Sequence, residues 1–211
     1  DEVALRQAVT YCKKMNTSNP PLLDIYRIYG TSMFKHGRIG DAIRWLSDAN
    51  DGPRMAHIRE HIAAALRVRG LSASWDLIRA VVDHTEQYSD VQLAYLHRLA
   101  QLERSWSARK ANNTDAPTWT ECVQQLAGVC SIVPDSLLLP VLQHYEDAIQ
   151  PPFPSGAGDL NSSVHTLLAR LEDADMQRSL DLDASEVARL RGHLVALLSH
   201  STFEGAFSHT F

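Results

Sequence analysis

The residues of this chain whose types and spacing come nearest to chemistry are His57, Glu60 and His61, in the order H-x-x-E-H. Two imidazoles four residues apart on one helix face can share a metal ion. The glutamate between them can activate a metal-bound water, as in inverted zinc peptidases. Such a centre also needs a third ligand on a rigid support and a pocket around the open coordination position. The periodicity of the chain offers no sheet to supply that support. The pair is therefore read as polar residues on a half-exposed helix face, and neither a metal nor any other cofactor is expected.

Other reactive patterns are missing. There is no G-x-S-x-G elbow, and neither G-x-G-x-x-G nor G-x-x-x-x-G-K-[ST] occurs to cradle a phosphate. Cys12, Cys122 and Cys130 are odd in number and lack C-x-x-C spacing, which speaks for a reducing compartment and against a disulfide framework. Cys122 and Cys130 lie eight apart on one predicted helix and are expected to face one core. The acids Glu146, Asp147, Asp173 and Asp175 sit in a surplus of exposed acids without a visible pocket. The chain is expected not to be an enzyme.

The elements that would position any such residues are helices. Apolar residues recur at helical period almost everywhere, and strand alternation is almost nowhere. Helices are expected at 2–15, 22–36, 39–50, 54–69, 73–87, 90–111, 118–131, 136–149, 161–174 and 184–200. The clearest unit is Asp24 to Asn50. Tyr26, Tyr29 and Met33 recur on one helix, Gly37 stops it, and Ile39, Ala42, Ile43, Leu46 and Ala49 form the stripe of a second. Gly40 is read as the point of close helix approach. Thr118 with Glu121 and Asp183 with Glu186 match capping boxes, Ser89 is read as a further cap, and Pro140 either delays or kinks its helix. The expected fold is all-α, an irregular α-solenoid of stacked antiparallel helix pairs with about ten helices. Its organisation is a helical domain over 1–149, a Pro/Gly-rich linker or loop over 150–160, C-terminal helices over 161–200 packing on the solenoid, and a tail over 201–211.

Composition bounds the partners. At 211 residues with 45% hydrophobic content the chain can bury a sizeable core. No apolar run reaches a membrane span and no N-terminal stretch reads as a secretory signal; the start at Asp1 is read as that of a fragment. A net charge of −5 argues against nucleic acid, whose binding relies on clustered cations. Lys35 to Arg79 holds eight Lys or Arg against five acids, and Glu146 to Glu186 holds nine acids against two Arg. The expected contacts are aromatic. Trp106, Trp119 and Tyr145 are borne on helices, and Phe203, Phe207 and Phe211 are spaced by four at the end of the chain. Such residues either fill grooves between the chain's own helices or dock in a partner.

The segments MFKHGRIGDAIRWLSDAND, DLIRAVVD, LAYLHRLAQLERSW and WTECVQQLAGVCSIVPDSLLLPVLQHYEDAI, in that order and spacing, resemble the C-terminal helical part of the nucleoporin-eighty-five family. The resemblance runs from Leu22 to Ile149. It implies a non-enzymatic α-solenoid related to vesicle-coat scaffolds, a short-arm subunit of the Y-shaped coat complex of the nuclear pore. It further implies attachment at the hub, where the other short-arm subunit and the stalk subunit meet, with a small β-propeller nucleoporin nearby. The family's N-terminal β-blade has no strand-rich counterpart here, and Arg109 to Ala116 looks like a looser connection than the family pattern.

The function expected on this basis is scaffolding of the nuclear pore coat, at the nuclear envelope of the nucleus, in support of pore assembly and nucleocytoplasmic transport. Partners are other Y-complex nucleoporins, with no nucleic acid and no small-molecule substrate. The alternative is a tetratricopeptide-like adaptor that captures peptides in a groove around Arg59, Arg67 and Arg79.

Overall fold

The computed structural model describes Gln7, Thr10 and residues 20–85, 91–154, 160–176 and 184–208. Among these residues there are helices and no strand, which makes the fold all-α. In order they are α1 (Pro20–Lys35), α2 (Ile39–Asp48), α3 (Gly52–Arg69), a 3-10 turn (Ser72–Ser74), α4 (Trp75–Thr85), a second 3-10 turn (Val91–Leu93), α5 (Ala94–Lys110), α6 (Trp119–Cys130), α7 (Asp135–His144), α8 (Glu146–Ile149), α9 (Asn161–Met176) and α10 (Ala184–Ser208). Of the helix expected at 2–15, Gln7 and Thr10 are helical and the rest lies outside the described residues, as do Cys12, Ser89 and Asp183.

Two boundaries differ from the periodicity. The helix expected at 136–149 divides at Tyr145, which leaves helical geometry at φ −104° and ψ 22° where its side chain is buried, and Pro140 lies inside α7. The last helix runs on to Ser208. Its buried stripe of Val187, Leu190, Leu194 and Leu197 continues to Ser201, so a polar residue occupies a core position that hydrophobicity alone does not announce.

The chain forms two compact units, Asp1–Ile62 with Leu77–Asp90, and Ala63–Asp76 with Val91–Phe211. In the first, α1 packs on α2 through the expected stripe, with Ile39, Ala42, Ile43, Leu46 and Ala49 all buried. Gly37 has φ +75°. Its amide donates to the Phe34 carbonyl at 3.0 Å and the Arg38 amide donates to Met33 at 2.9 Å, which closes α1 with a left-handed residue. A tight interhelix contact falls at Gly30. A methyl there would stand 2.5 Å from Leu46 Cγ and 3.3 Å from the Ala42 carbonyl oxygen.

The two glycines fail differently when replaced. Gly30→Ala gains helix propensity of ~1 kcal/mol but overpacks the α1–α2 contact by ~2 kcal/mol, a net loss of about 1 kcal/mol. Gly37→Ala meets no atom within 4 Å and loses about 1 kcal/mol through backbone strain alone. Denaturant titration separates the causes. Gly37→Asn, which tolerates left-handed geometry, recovers most of the loss, whereas Gly30→Asn deepens it.

Asp51 starts α3. Its Oδ1 accepts from the Arg54 amide at 3.2 Å, and its Oδ2 meets the Arg54 guanidinium and Arg27 Nε, the latter at 3.6 Å. Burial pushes this carboxyl upward, and the hydrogen bonds and charge of Arg54, with the charge of Arg27, outweigh it and hold the group below the usual range.

In the second unit α5 packs on α6, α9 lies against α6 and α10, and α10 also meets α7 and α8. Tyr95, Leu99, Leu102 and Trp106 form the buried stripe of α5, while Cys122 and Cys130 are both buried on α6. Burial pushes the Cys130 thiol up to about 12 and also raises Cys122, so both are inert apolar residues at neutral pH. The Thr118 capping box forms in full. Its hydroxyl accepts from the Glu121 amide at 3.2 Å, and its own amide donates to Glu121 Oε2 at 2.7 Å. Arg170 of α9 ties two helix ends together, donating to the carbonyls of Cys130 at 3.1 Å and Val133 at 3.0 Å and pairing with Asp135 at 2.8 Å. A cation placed on those carbonyls satisfies acceptors that the end of α6 leaves open.

Candidate protein-interaction site

The H-x-x-E-H residues lie on α3. His57, Glu60 and His61 are exposed, and both imidazoles stand edge-on to Phe34 of α1, at ring separations of 5.6 and 5.2 Å. Their spacing lets one helix face offer two rings to one aromatic. Among the described residues no group of three or more His, Cys, Asp or Glu side chains is placed to hold a metal ion.

The aromatic candidates fall in three places. Trp106 is 8% exposed on α5, with Lys110 Nζ 5.4 Å from its ring centre. Trp119 is 7% exposed at the start of α6. Its indole N–H donates to the Ala148 carbonyl at 3.0 Å, and its ring lies 6.0 Å from Phe153, which in turn lies 5.3 Å from His200 of α10. One side chain thus ties α6 to α8 and to the proline-rich segment after it. Past that segment the Leu160 amide donates to the buried Ser201 hydroxyl at 3.0 Å. Phe203 and Phe207 lie on the last turns of α10; their side chains, and Phe211 entirely, lie outside the described residues.

Tyr145 is fully buried and sits in a polar cluster that links several helices. Its hydroxyl donates to Glu103 Oε2 at 2.8 Å. Ser107 donates to Glu103 Oε1 at 3.0 Å, and His144 Nε2 stands 3.3 Å from Oε2. The other His144 nitrogen, Nδ1, lies 3.3 Å from Ser72 Oγ, and the ring is 6.0 Å from Trp75. The His144 hydrogen bond, with those of Tyr145 and Ser107, holds the Glu103 carboxyl below its ordinary value against the upward push of burial. Burial and the neighbouring carboxylate drive the Tyr145 phenol upward, so it stays a donor at neutral pH. The cluster joins α5, the α7–α8 break and the Ser72 turn.

Surface features add what sequence reasoning missed. Ile28 is 67% exposed on α1 and lines a groove of about 620 Å³ with Arg27, Thr31, Lys35 and Arg54. A second groove of about 550 Å³ lies on α5 and α6, lined mostly by Arg98, Gln101, Glu121, Gln124 and Gln125. The available signal for Ile28 is register, because it falls between the buried positions Tyr26 and Gly30. Arg59 and Arg79 belong to the first unit and Arg67 to the second. No helix among the described residues is long and apolar enough to cross a membrane.

Within the second unit the helices bury their apolar stripes against one another and share polar ties. No curated protein matches the chain. A protein-family model described as Nup85 Nucleoporin matches residues 1–149, from the first residue through α8. With that match over most of its length and an all-helical fold whose buried stripes follow the same segments, the chain belongs to the Nup85 nucleoporin family, a family of structural scaffold proteins of the nuclear pore.

Proposed function

We propose that the chain is a non-enzymatic scaffold segment of the nuclear pore coat that attaches at the hub of the Y-shaped complex, to the other short-arm subunit and the stalk subunit. The family match over residues 1–149 carries this reading. The mechanism is geometric. Helices that bury their apolar stripes and share ties such as Arg170 and Trp119 hold exposed positions at fixed spacing, so partners bound to them are held at fixed distance and angle. Phe203, Phe207 and Phe211 supply apolar anchors for a partner groove. Trp106, Trp119 and Tyr145 act on the same contacts by fixing the helices that carry them. Residence at the nuclear envelope and a part in pore assembly and transport follow from that attachment.

Pull-down of the purified chain with recombinant Y-complex subunits tests the proposal. The expected result is retention of the short-arm or stalk subunit by the folded chain. Failure with both, while circular dichroism shows full helicity, overturns it. Removing Thr202 to Phe211 is expected to weaken binding by about tenfold or more, the scale of apolar hot spots, with the melting temperature unchanged. Unchanged binding with a lower melting temperature assigns the phenylalanines to the chain's own core.

A further inference from the structure

In Arg67-Val68-Arg69-Gly70-Leu71-Ser72, arginines stand five and three residues before a serine, and no other serine or threonine of the sequence has arginine at both positions. Arginine-directed serine/threonine kinases read this spacing with acidic subsites, so the charge pattern selects the partner. Arg67, Arg69 and Ser72 are all exposed. The backbone between them is already interrupted, because Gly70 has φ +74° and ends α3. The last turn of α3 carries Arg67, Val68 and Arg69, with Val68 80% exposed, so straightening it uncovers little apolar surface; Leu71 is the one buried anchor in the stretch. Helix ends of this kind open at low free energy. Ser74, two residues on, is different. It is buried and its hydroxyl donates to the Gly70 carbonyl at 2.8 Å.

We propose that Ser72 is a phosphorylation site, modified by an ATP-dependent kinase of arginine-directed specificity. Ser72 Oγ attacks the γ-phosphorus of ATP, and a new O–P bond forms as the bond from that phosphorus to the β,γ-bridging oxygen breaks. ADP leaves, and the hydroxyl proton passes to the kinase's carboxylate base. The product places about −1.5 to −2 charges beside His144, whose Nδ1 already lies 3.3 Å from Ser72 Oγ. Glu103 holds the other imidazole nitrogen at 3.3 Å, with Tyr145 on the same carboxylate and Trp75 against the ring. A neutral hydrogen bond from the Ser72 turn to α7 thereby becomes a charge-assisted one, and phosphate joins Glu103 as a second acceptor around one imidazole ring.

The test incubates the full chain with a protein kinase B-type catalytic domain and ATP, followed by mass-spectrometric mapping and NMR of the histidine ring protons. One phosphate per chain at Ser72 is expected. Arg69→Ala and Arg67→Ala, both at exposed positions, should slow the reaction by about tenfold or more, and Ser74→Ala should leave it unchanged. Phosphorylation should move the His144 resonances, a change absent in Ser72→Ala. The proposal is overturned if a 65–76 peptide is phosphorylated and the folded chain is not, if phosphate maps elsewhere, or if the arginine variants, shown folded by circular dichroism, react at the original rate.

Discussion

Tyr145→Ala is expected to destabilise the unit built from residues 63–76 and 91–211 by about 3–5 kcal/mol, the range for removing a fully buried aromatic ring. The ring lies at the break between α7 and α8 and is fully buried there. Tyr145→Phe keeps the ring and removes only the 2.8 Å hydrogen bond to Glu103, so its loss should be about 1.5–3 kcal/mol, the value for a bond to a charged acceptor. Guanidinium titration followed by circular dichroism gives both numbers. A Phe variant as damaging as the Ala variant would show that the hydroxyl, not the ring volume, sets the stability.

The same cluster predicts an acid limb. The Glu103 carboxyl titrates below its ordinary value of 4.5 in the folded chain, so its contribution is present above about pH 4.5 and is lost as pH falls through the lowered folded value. Glu103→Gln should flatten this part of the pH–stability curve. An unchanged acid limb in that variant would place the acid sensitivity elsewhere, with Asp51 the next carboxyl held low.

The second large effect is at Trp119. Trp119→Ala removes a buried indole and its hydrogen bond to the Ala148 carbonyl, with an expected loss of about 3–5 kcal/mol. Because the Phe153 and His200 rings follow in succession beyond it as tilted contacts, the damage should extend to the segment after α8 and to α10. Hydrogen exchange should show faster amide exchange around Leu160, whose amide is held by Ser201. Trp119→Phe retains most of the volume and should remain folded. If the tryptophan serves partners only by fixing helices, that variant binds Y-complex subunits as the parent chain does; a tenfold loss of binding with stability preserved would make Trp119 a direct contact.

How much of this was legible beforehand depends on the kind of interaction. Ile39, Ala42, Ile43, Leu46 and Ala49 could be assigned to a buried face because helical period alone selects them, and all five are buried. Gly37 and the Thr118–Glu121 box were readable because their partners lie within a few residues. Gly30 was not. What makes it a glycine is the Leu46 side chain, sixteen positions away, brought against it only when α2 folds back. Ile28 reads as one more apolar residue of α1 until the register of the buried positions leaves it outside.

The sequence by itself determined the all-α class and most helix boundaries, and its helix order already resembled the nucleoporin family that the comparison over residues 1–149 established. These rest on local periodicity, on capping and on the order of segments, which a linear chain carries in full. Only the tertiary structure decided that Glu103, His144, Tyr145 and Ser72 form one cluster, that Arg170 closes the ends of α6 and α7, and that His57 and His61 flank a phenylalanine. Those pairs lie 23 to 72 positions apart, and a contact between distant residues leaves no periodic trace in sequence, because its partner is chosen by how helices pack.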